Sequence, residues 1–145
     1  MAKFSYKYEN IKRIKKIFEK EVQRQISELN LKIQKLIEYK EELIREKENE
    51  KRKILSKNFI GNNELHFYSK FEKYIDEKLE FADKKIKELE SEKEKKIEEL
   101  VQKSKETKIF EKLEEHHKYK FETEQNKLEQ IRMDEIALKK QGKNE

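Results

Sequence analysis

Histidines and carboxylates are the residues of this chain that could do chemistry. His116 and His117 are adjacent, but neighbouring residues on a helix point about 100° apart and no third metal ligand stands at a suitable spacing. Carboxylates are abundant, yet the sequence predicts no cleft that would shift their pKa values. Cysteine is absent, which excludes disulfides, Cys-ligated zinc and thiol catalysis. We therefore expect no catalytic residue, no metal site and no cofactor.

The composition is typical of long, exposed helices. Of the 145 residues, 48% are Asp, Glu, Lys or Arg and 33% are apolar, whereas an ordinary globular domain has about 25% charged and about 45–50% apolar residues. Pro, the strongest helix breaker, is absent. The 37 basic residues are interleaved with 32 acidic ones. Nucleic-acid binders usually segregate their basic residues on one face, so we expect no nucleic-acid partner, although a nucleic-acid-associated coiled coil stays open as an alternative.

Apolar spacing predicts two long helices. Between residues 11 and 43 the apolar side chains recur at steps of three and four, the pattern of a coiled-coil seam, and a similar pattern returns between residues 75 and 131. Apolar runs are too short for a transmembrane helix, so we expect a cytoplasmic protein. Successive steps of four predict a stutter in the first helix, around Phe18 to Ile26.

One turn joins the predicted helices. Gly61 lies among several Asn residues, and both residue types tolerate left-handed backbone angles, while Asn also caps helix starts. If the turn closes a hairpin, Leu36 lies near Ile86. We predict an all-α fold in which two long helices form an antiparallel coiled-coil hairpin, with the second helix longer. A single domain over residues 1–145 then comprises helix one at about 4–57, a turn at about 58–63, helix two at about 64–139 and a frayed tail at 140–145.

An aromatic cluster opposes a charged strip in this hairpin. Residues 45–53 contain no apolar side chain, and they face residues 69–77 of the second helix. Lys and Arg stems could cover the rings. Alternatively, Tyr68, Phe71 and Ile75 form an exposed apolar patch, a surface typical of a protein partner site.

Four short segments carry a resemblance to a known family. They are Leu36-Ile37-Glu38-Tyr39, Phe67-Tyr68 with Phe71, Phe110-Glu111-Lys112-Leu113 and Met133-Asp134-Glu135-Ile136. In their order and spacing the chain resembles the FliJ family of the bacterial flagellar type III export apparatus. This resemblance implies a non-enzymatic, stalk-like coiled coil whose termini enter the hexameric export ATPase FliI and promote its assembly. It also implies contacts with the export gate protein FlhA and with export chaperones, at the inner face of the cytoplasmic membrane.

The resemblance also implies site residues. Those for the gate are Tyr68, Phe71, Ile75, Lys78 and Ala82, of which Lys78 and Ala82 depart from the family's usual residues. Those for the chaperones and gate on helix one are Leu36, Tyr39 and Leu43, of which only Tyr39 lies off the seam. Those for the ATPase ring are Ile11, Arg13, Ile14, Phe18, Phe121, Leu128, Met133 and Asp134.

Other functions remain open on the sequence. A stalk homologue of a virulence-type secretion system and a stalk subunit of a rotary ATPase have the same architecture. The first 18 residues also resemble a basic amphipathic helix that could contact a membrane surface.

Overall fold

The protein is all-α. The structure is a computed structural model that describes the backbone of residues 2–144 and the side chains of residues 2–142. Helix α1 spans Glu9–Leu55 and helix α2 spans Asn62–Asn144. The helices pack against each other as an antiparallel coiled-coil hairpin, and α2 is the longer one, which confirms the predicted fold class.

Contacts divide the chain into two compact units. The terminal unit comprises Met1–Lys20 with Val101–Glu145, and the loop unit comprises Glu21–Leu100. That the chain is a single coiled-coil domain stays a prediction.

The loop unit is held by an apolar seam. Val22, Leu29, Ile33 and Leu43 on α1 are buried, as are Ile75, Ala82 and Leu89 on α2. Fully burying a Val, Leu or Ile side chain contributes about 1.5–3 kcal/mol, so this seam is the main source of the unit's stability. Leu36 and Ile86 pack against one buried cluster, as the predicted register requires. That cluster is Leu29, Ile33 and Leu89.

The seam of the terminal unit is polar instead. Lys12 pairs with Glu114 across the helices, and Lys15 lies 2.9 Å from Glu106. Phe18 is 50% exposed. The predicted apolar seam is therefore wrong at Ile14 and Phe18, because the ion-paired lysines occupy the side of α1 that faces α2.

Helix α1 begins at Glu9, later than the predicted start near residue 4. Residues 2–8 form a strap that lies on α2 instead. Tyr6 is buried, and its hydroxyl donates a hydrogen bond to the carbonyl of Phe110 at 2.7 Å. The rings of Phe4 and Phe121 lie 5.6 Å apart. Packing these aromatic rings on α2 takes the place of further helical turns.

The connection between the helices runs over residues 56–61. The carbonyl of Gly61 accepts a hydrogen bond from the amide of Leu65 at 3.1 Å, which makes Gly61 the N-cap of α2. No described residue has a positive φ angle, so the connection does not use the left-handed conformation that Gly61 would tolerate. A second difference is at the C-terminus, where α2 continues to Asn144, beyond the predicted helix end at about residue 139.

Candidate partner-binding surfaces

An apolar face of α1 is exposed in the terminal unit. Ile11, Ile14 and Phe18 are all exposed, and their spacing of three and four places them on one side of the helix. The ammonium group of Lys103 lies 5.6 Å from the centre of the Phe18 ring and leaves half of that side chain exposed. We call Ile11, Ile14 and Phe18 the α1 face. Arg13, also assigned to the ATPase ring, is exposed beside it.

The end of α2 offers a second set of exposed apolar residues. Phe121 is half-buried under the strap, whereas every side chain from residue 126 to 142 is exposed. Leu128, Met133 and Asp134 lie in this segment, and Asp134 accepts a hydrogen bond from Gln130 at 3.3 Å. Ile131 and Leu138 are exposed as well and share a side of the helix with Leu128. In the sequence, the steps of three from Leu128 to Ile131 and of seven from Ile131 to Leu138 indicate that these residues belong to one site.

Two residues assigned to the gate are buried in the seam of the loop unit. Ile75 and Ala82 are each 1% exposed. The predicted exposed patch is therefore wrong at Ile75, while Tyr68 and Phe71 are half-buried. From the charged strip of α1, Lys47 reaches across to Asp76 at 2.8 Å and to Glu72 at 3.5 Å. These carboxylates flank Ile75, as expected if Lys stems cover the apolar residues.

The three residues assigned to helix one differ in exposure. Leu43 is buried and Leu36 is half-buried against the core cluster, whereas Tyr39 is exposed. The prediction that Tyr39 lies off the seam is confirmed. Of the three, Tyr39 alone has an exposed side chain.

A surface of mixed aromatic and charged character surrounds Tyr39. Tyr39 on α1 and Tyr74, Glu77, Lys78 and Phe81 on α2 line one shallow hollow. The Lys78 ammonium lies 4.4 Å from the centre of the Tyr74 ring, within the range of a cation–π contact. A hydrogen bond with the Tyr74 side chain raises the pKa of Lys78, so its positive charge is retained. We call these five residues the tyrosine–lysine surface.

The sequence assignment missed Tyr74 and Phe81 as members of this surface. Both are exposed, and Phe81 is more exposed than Tyr39. Their spacing around Lys78 is four and then three residues, which places all three on one side of α2. This spacing could have identified Tyr74 and Phe81 from the sequence. Both residues are adjacent in the chain to the seam positions Ile75 and Ala82.

One histidine, His117, takes part in packing. The His117 ring lies 5.7 Å from Tyr6 and 6.2 Å from Tyr8, both in the strap. Within residues 2–142 no group of three or more His, Asp or Glu side chains is arranged to hold a metal ion. Neither described helix has a stretch long and apolar enough to cross a membrane.

The fold and these surfaces define a class: an antiparallel coiled-coil protein whose largest exposed apolar residues lie outside the seam and are available to other proteins. The family model of the flagellar FliJ protein matches residues 6–145. The chain therefore belongs to the FliJ family, a family of non-enzymatic components of the flagellar export apparatus. Neither the curated proteins nor the solved structures include a significant match to this chain.

Proposed function

We propose that the chain is a stalk-like adaptor of flagellar protein export. In this role it promotes assembly of the hexameric export ATPase FliI and couples that ring to the export gate protein FlhA and to export chaperones. The observation that carries the proposal is the exposed α1 face, because it coincides with residues that the family resemblance assigns to the ATPase. The protein then acts near the inner face of the cytoplasmic membrane through its partners.

Exposed apolar residues support the ATPase contact in the terminal unit. Since Lys12 and Lys15 make the ion pairs across the helices, the α1 face is left available for another protein. Arg13 flanks this face, so the complementary surface on the ATPase should combine apolar pockets with acidic residues. One chain that contacts neighbouring ATPase subunits would favour their association without any chemical step.

The tyrosine–lysine surface supports the gate contact in the loop unit. Tyr and Trp rings and Arg side chains are enriched among residues that dominate binding energy, and here two Tyr rings and one Phe ring surround Lys78. The buried Ile75 and Ala82 hold the two helices together beneath this surface. Tyr39 extends it onto α1, where the chaperone contact is proposed.

The ATPase contact can be tested with Ile14→Gln combined with Phe18→Gln. Gln keeps helix propensity, and both positions are half-exposed, so the variant should fold. We expect that at least about tenfold more variant than wild type is needed to assemble FliI hexamers, measured by light scattering, since anchors of this kind contribute about 1–3 kcal/mol each.

Leu31→Gln is the matched control, because Leu31 is an exposed apolar residue of α1 in the loop unit. It should assemble hexamers like the wild type. Full assembly by the double variant, with unchanged helix content, contradicts the ATPase contact.

The gate contact can be tested with Tyr74→Ala combined with Phe81→Ala. We expect affinity for the isolated cytoplasmic part of FlhA to fall at least about tenfold, measured by titration calorimetry. Tyr119→Ala, another exposed aromatic residue of α2, should bind normally. Unchanged binding by the double variant contradicts a gate contact at the tyrosine–lysine surface.

A further inference from the structure

The loop between the helices and the turns beside it expose several large apolar side chains. Phe59 in the loop is 85% exposed. Leu55 ends α1, and Leu65 and Phe67 lie in the first two turns of α2, all three exposed. None of these residues belongs to the ATPase or gate surfaces described above. We call residues 51–70 the tip.

The apolar residues of the tip are confined to a thin layer. At a rise of 1.5 Å per residue, Leu65 and Phe67 lie within about 5–8 Å of the start of α2 along its axis. This layer is about as deep as the apolar penetration of helices that lie at a bilayer interface, which is about 5–10 Å.

Positive charge accompanies the apolar residues. The tip holds five basic residues and one acidic residue, so its net charge is +4 in a chain whose total is +5. The acidic residue, Glu64, is paired with Lys57 at 3.1 Å. Lys51, Arg52 and Lys70 make no ion pair with the described residues and present their charges to solvent. The tip is therefore a strongly basic segment whose charges surround exposed aromatic and leucine side chains.

We propose that the tip binds directly to a bilayer that contains anionic lipid. Polybasic segments are attracted to anionic headgroups, and apolar side chains inserted beside them supply the second signal that stable membrane binding requires. A protein partner is less well matched, because four of the five cations are Lys, which is depleted in protein interfaces. This inference goes beyond the proposed function, since it gives the adaptor a membrane contact of its own.

The proposal is tested with the full-length chain and vesicles. Wild type is sedimented with vesicles of phosphatidylcholine alone and of phosphatidylcholine mixed with phosphatidylglycerol. We expect binding only to the mixed vesicles, and weaker binding as salt rises, because the attraction is screened. Phe59→Ser combined with Phe67→Ser, and separately Lys51→Gln with Arg52→Gln and Lys53→Gln, should each reduce the partition coefficient about tenfold.

Matched controls change equally exposed residues outside the tip. Phe81→Ser with Tyr119→Ser removes two aromatic rings that are each 69% exposed, the same exposure as Phe67. Lys84→Gln with Lys85→Gln and Lys87→Gln removes three positive charges from α2. Both control variants should bind the mixed vesicles like the wild type.

Three results would overturn the membrane contact. The first is that wild type fails to sediment with the mixed vesicles. The second is that the tip variants bind these vesicles as well as the control variants do. The third is that the tip variants keep vesicle binding but lose binding to the isolated FlhA domain, which would make the tip a protein contact. The first two results do not depend on the ATPase or gate contacts, because the vesicles contain no protein, whereas the third is measured separately on the isolated FlhA domain.

Discussion

The two units of this chain use the same pair of helices in opposite ways. In the loop unit, apolar residues such as Leu29 and Ile33 fill the seam, and ion pairs such as Lys40 with Asp83 flank it. In the terminal unit, charged residues occupy the seam, and apolar residues such as Phe18 are exposed. The loop unit therefore has an apolar seam, whereas the terminal unit leaves the apolar residues of the α1 face exposed.

The largest effect that separates the units is on stability. Ile75→Ala removes a side chain that is almost completely buried in the loop unit, so we expect the free energy of unfolding to fall by about 2–4 kcal/mol. Ile109→Ala, at an exposed position of the terminal unit, should change it by less than about 0.5 kcal/mol. Urea unfolding followed by circular dichroism measures both, and equal losses would abolish the distinction between the units.

The apolar seam of the loop unit was predictable from the sequence, but its polar continuation was not. The apolar spacing on the two helices predicted that Leu36 faces Ile86, because apolar residues at steps of three and four are buried against each other in a coiled coil. The same rule failed at Ile14 and Phe18, since it counts apolar residues only and Lys15 pairs with Glu106 across the helices. Whether a charged residue can displace an apolar one from a seam depends on its partner on the other helix.

The candidate surfaces were predictable only where a residue lies clearly off the seam. Tyr39 meets that condition and is exposed. Ile75 was expected to be exposed because a charged strip opposes it, but the long Lys47 side chain reaches Asp76 and Glu72 on either side of it. The strap of residues 2–8 was missed although Phe4 and Tyr6 are two residues apart, a spacing that does not place side chains on one face of a helix. Their contacts with Phe121 and Phe110 show that this segment packs on α2.

Salt should loosen the terminal unit more than the loop unit. The Debye length falls from about 10 Å at 0.1 M to about 3 Å at 1 M ionic strength, which weakens ion pairs such as Lys16 with Glu111, whose charged atoms lie 3.4 Å apart and are largely exposed. Hydrogen–deuterium exchange should become severalfold faster in residues 9–20 at high salt and change little in residues 22–43. Uniform acceleration in both segments would contradict a polar seam in the terminal unit.

Alkaline pH should act on the terminal unit through Tyr6 and Lys12. Burial raises the pKa of Tyr6 above its ordinary value of 10.0, and a hydrogen bond to Glu114 raises the pKa of Lys12 above 10.5. A raised pKa in the folded state contributes stability that is present below the ordinary pKa and is lost as the pH rises through the raised value. The difference in phenolate absorbance between wild type and Tyr6→Phe should therefore have a midpoint above pH 10. A midpoint at or below the ordinary value contradicts the burial of Tyr6 by the strap.

The smallest effect is expected at the pair of Lys15 and Glu106. A hydrogen bond from Lys15 lowers the pKa of Glu106 below its ordinary value of 4.5, so this pair contributes stability that is lost as the pH falls through the lowered value. Lys15→Gln should raise the pKa of Glu106, measured by NMR titration, and shift the unfolding midpoint less than Ile75→Ala, because the pair is partly exposed. An unchanged pKa would show that the two side chains do not pair in solution.

Hydrogen–deuterium exchange of the full chain with and without the export ATPase tests the central claim most directly. If the terminal unit keeps its apolar residues for the ATPase, adding FliI should slow exchange in residues 9–20 and 121–138 and leave residues 21–100 unchanged. Slower exchange confined to residues 21–100, or no change anywhere at saturating FliI, would contradict the account.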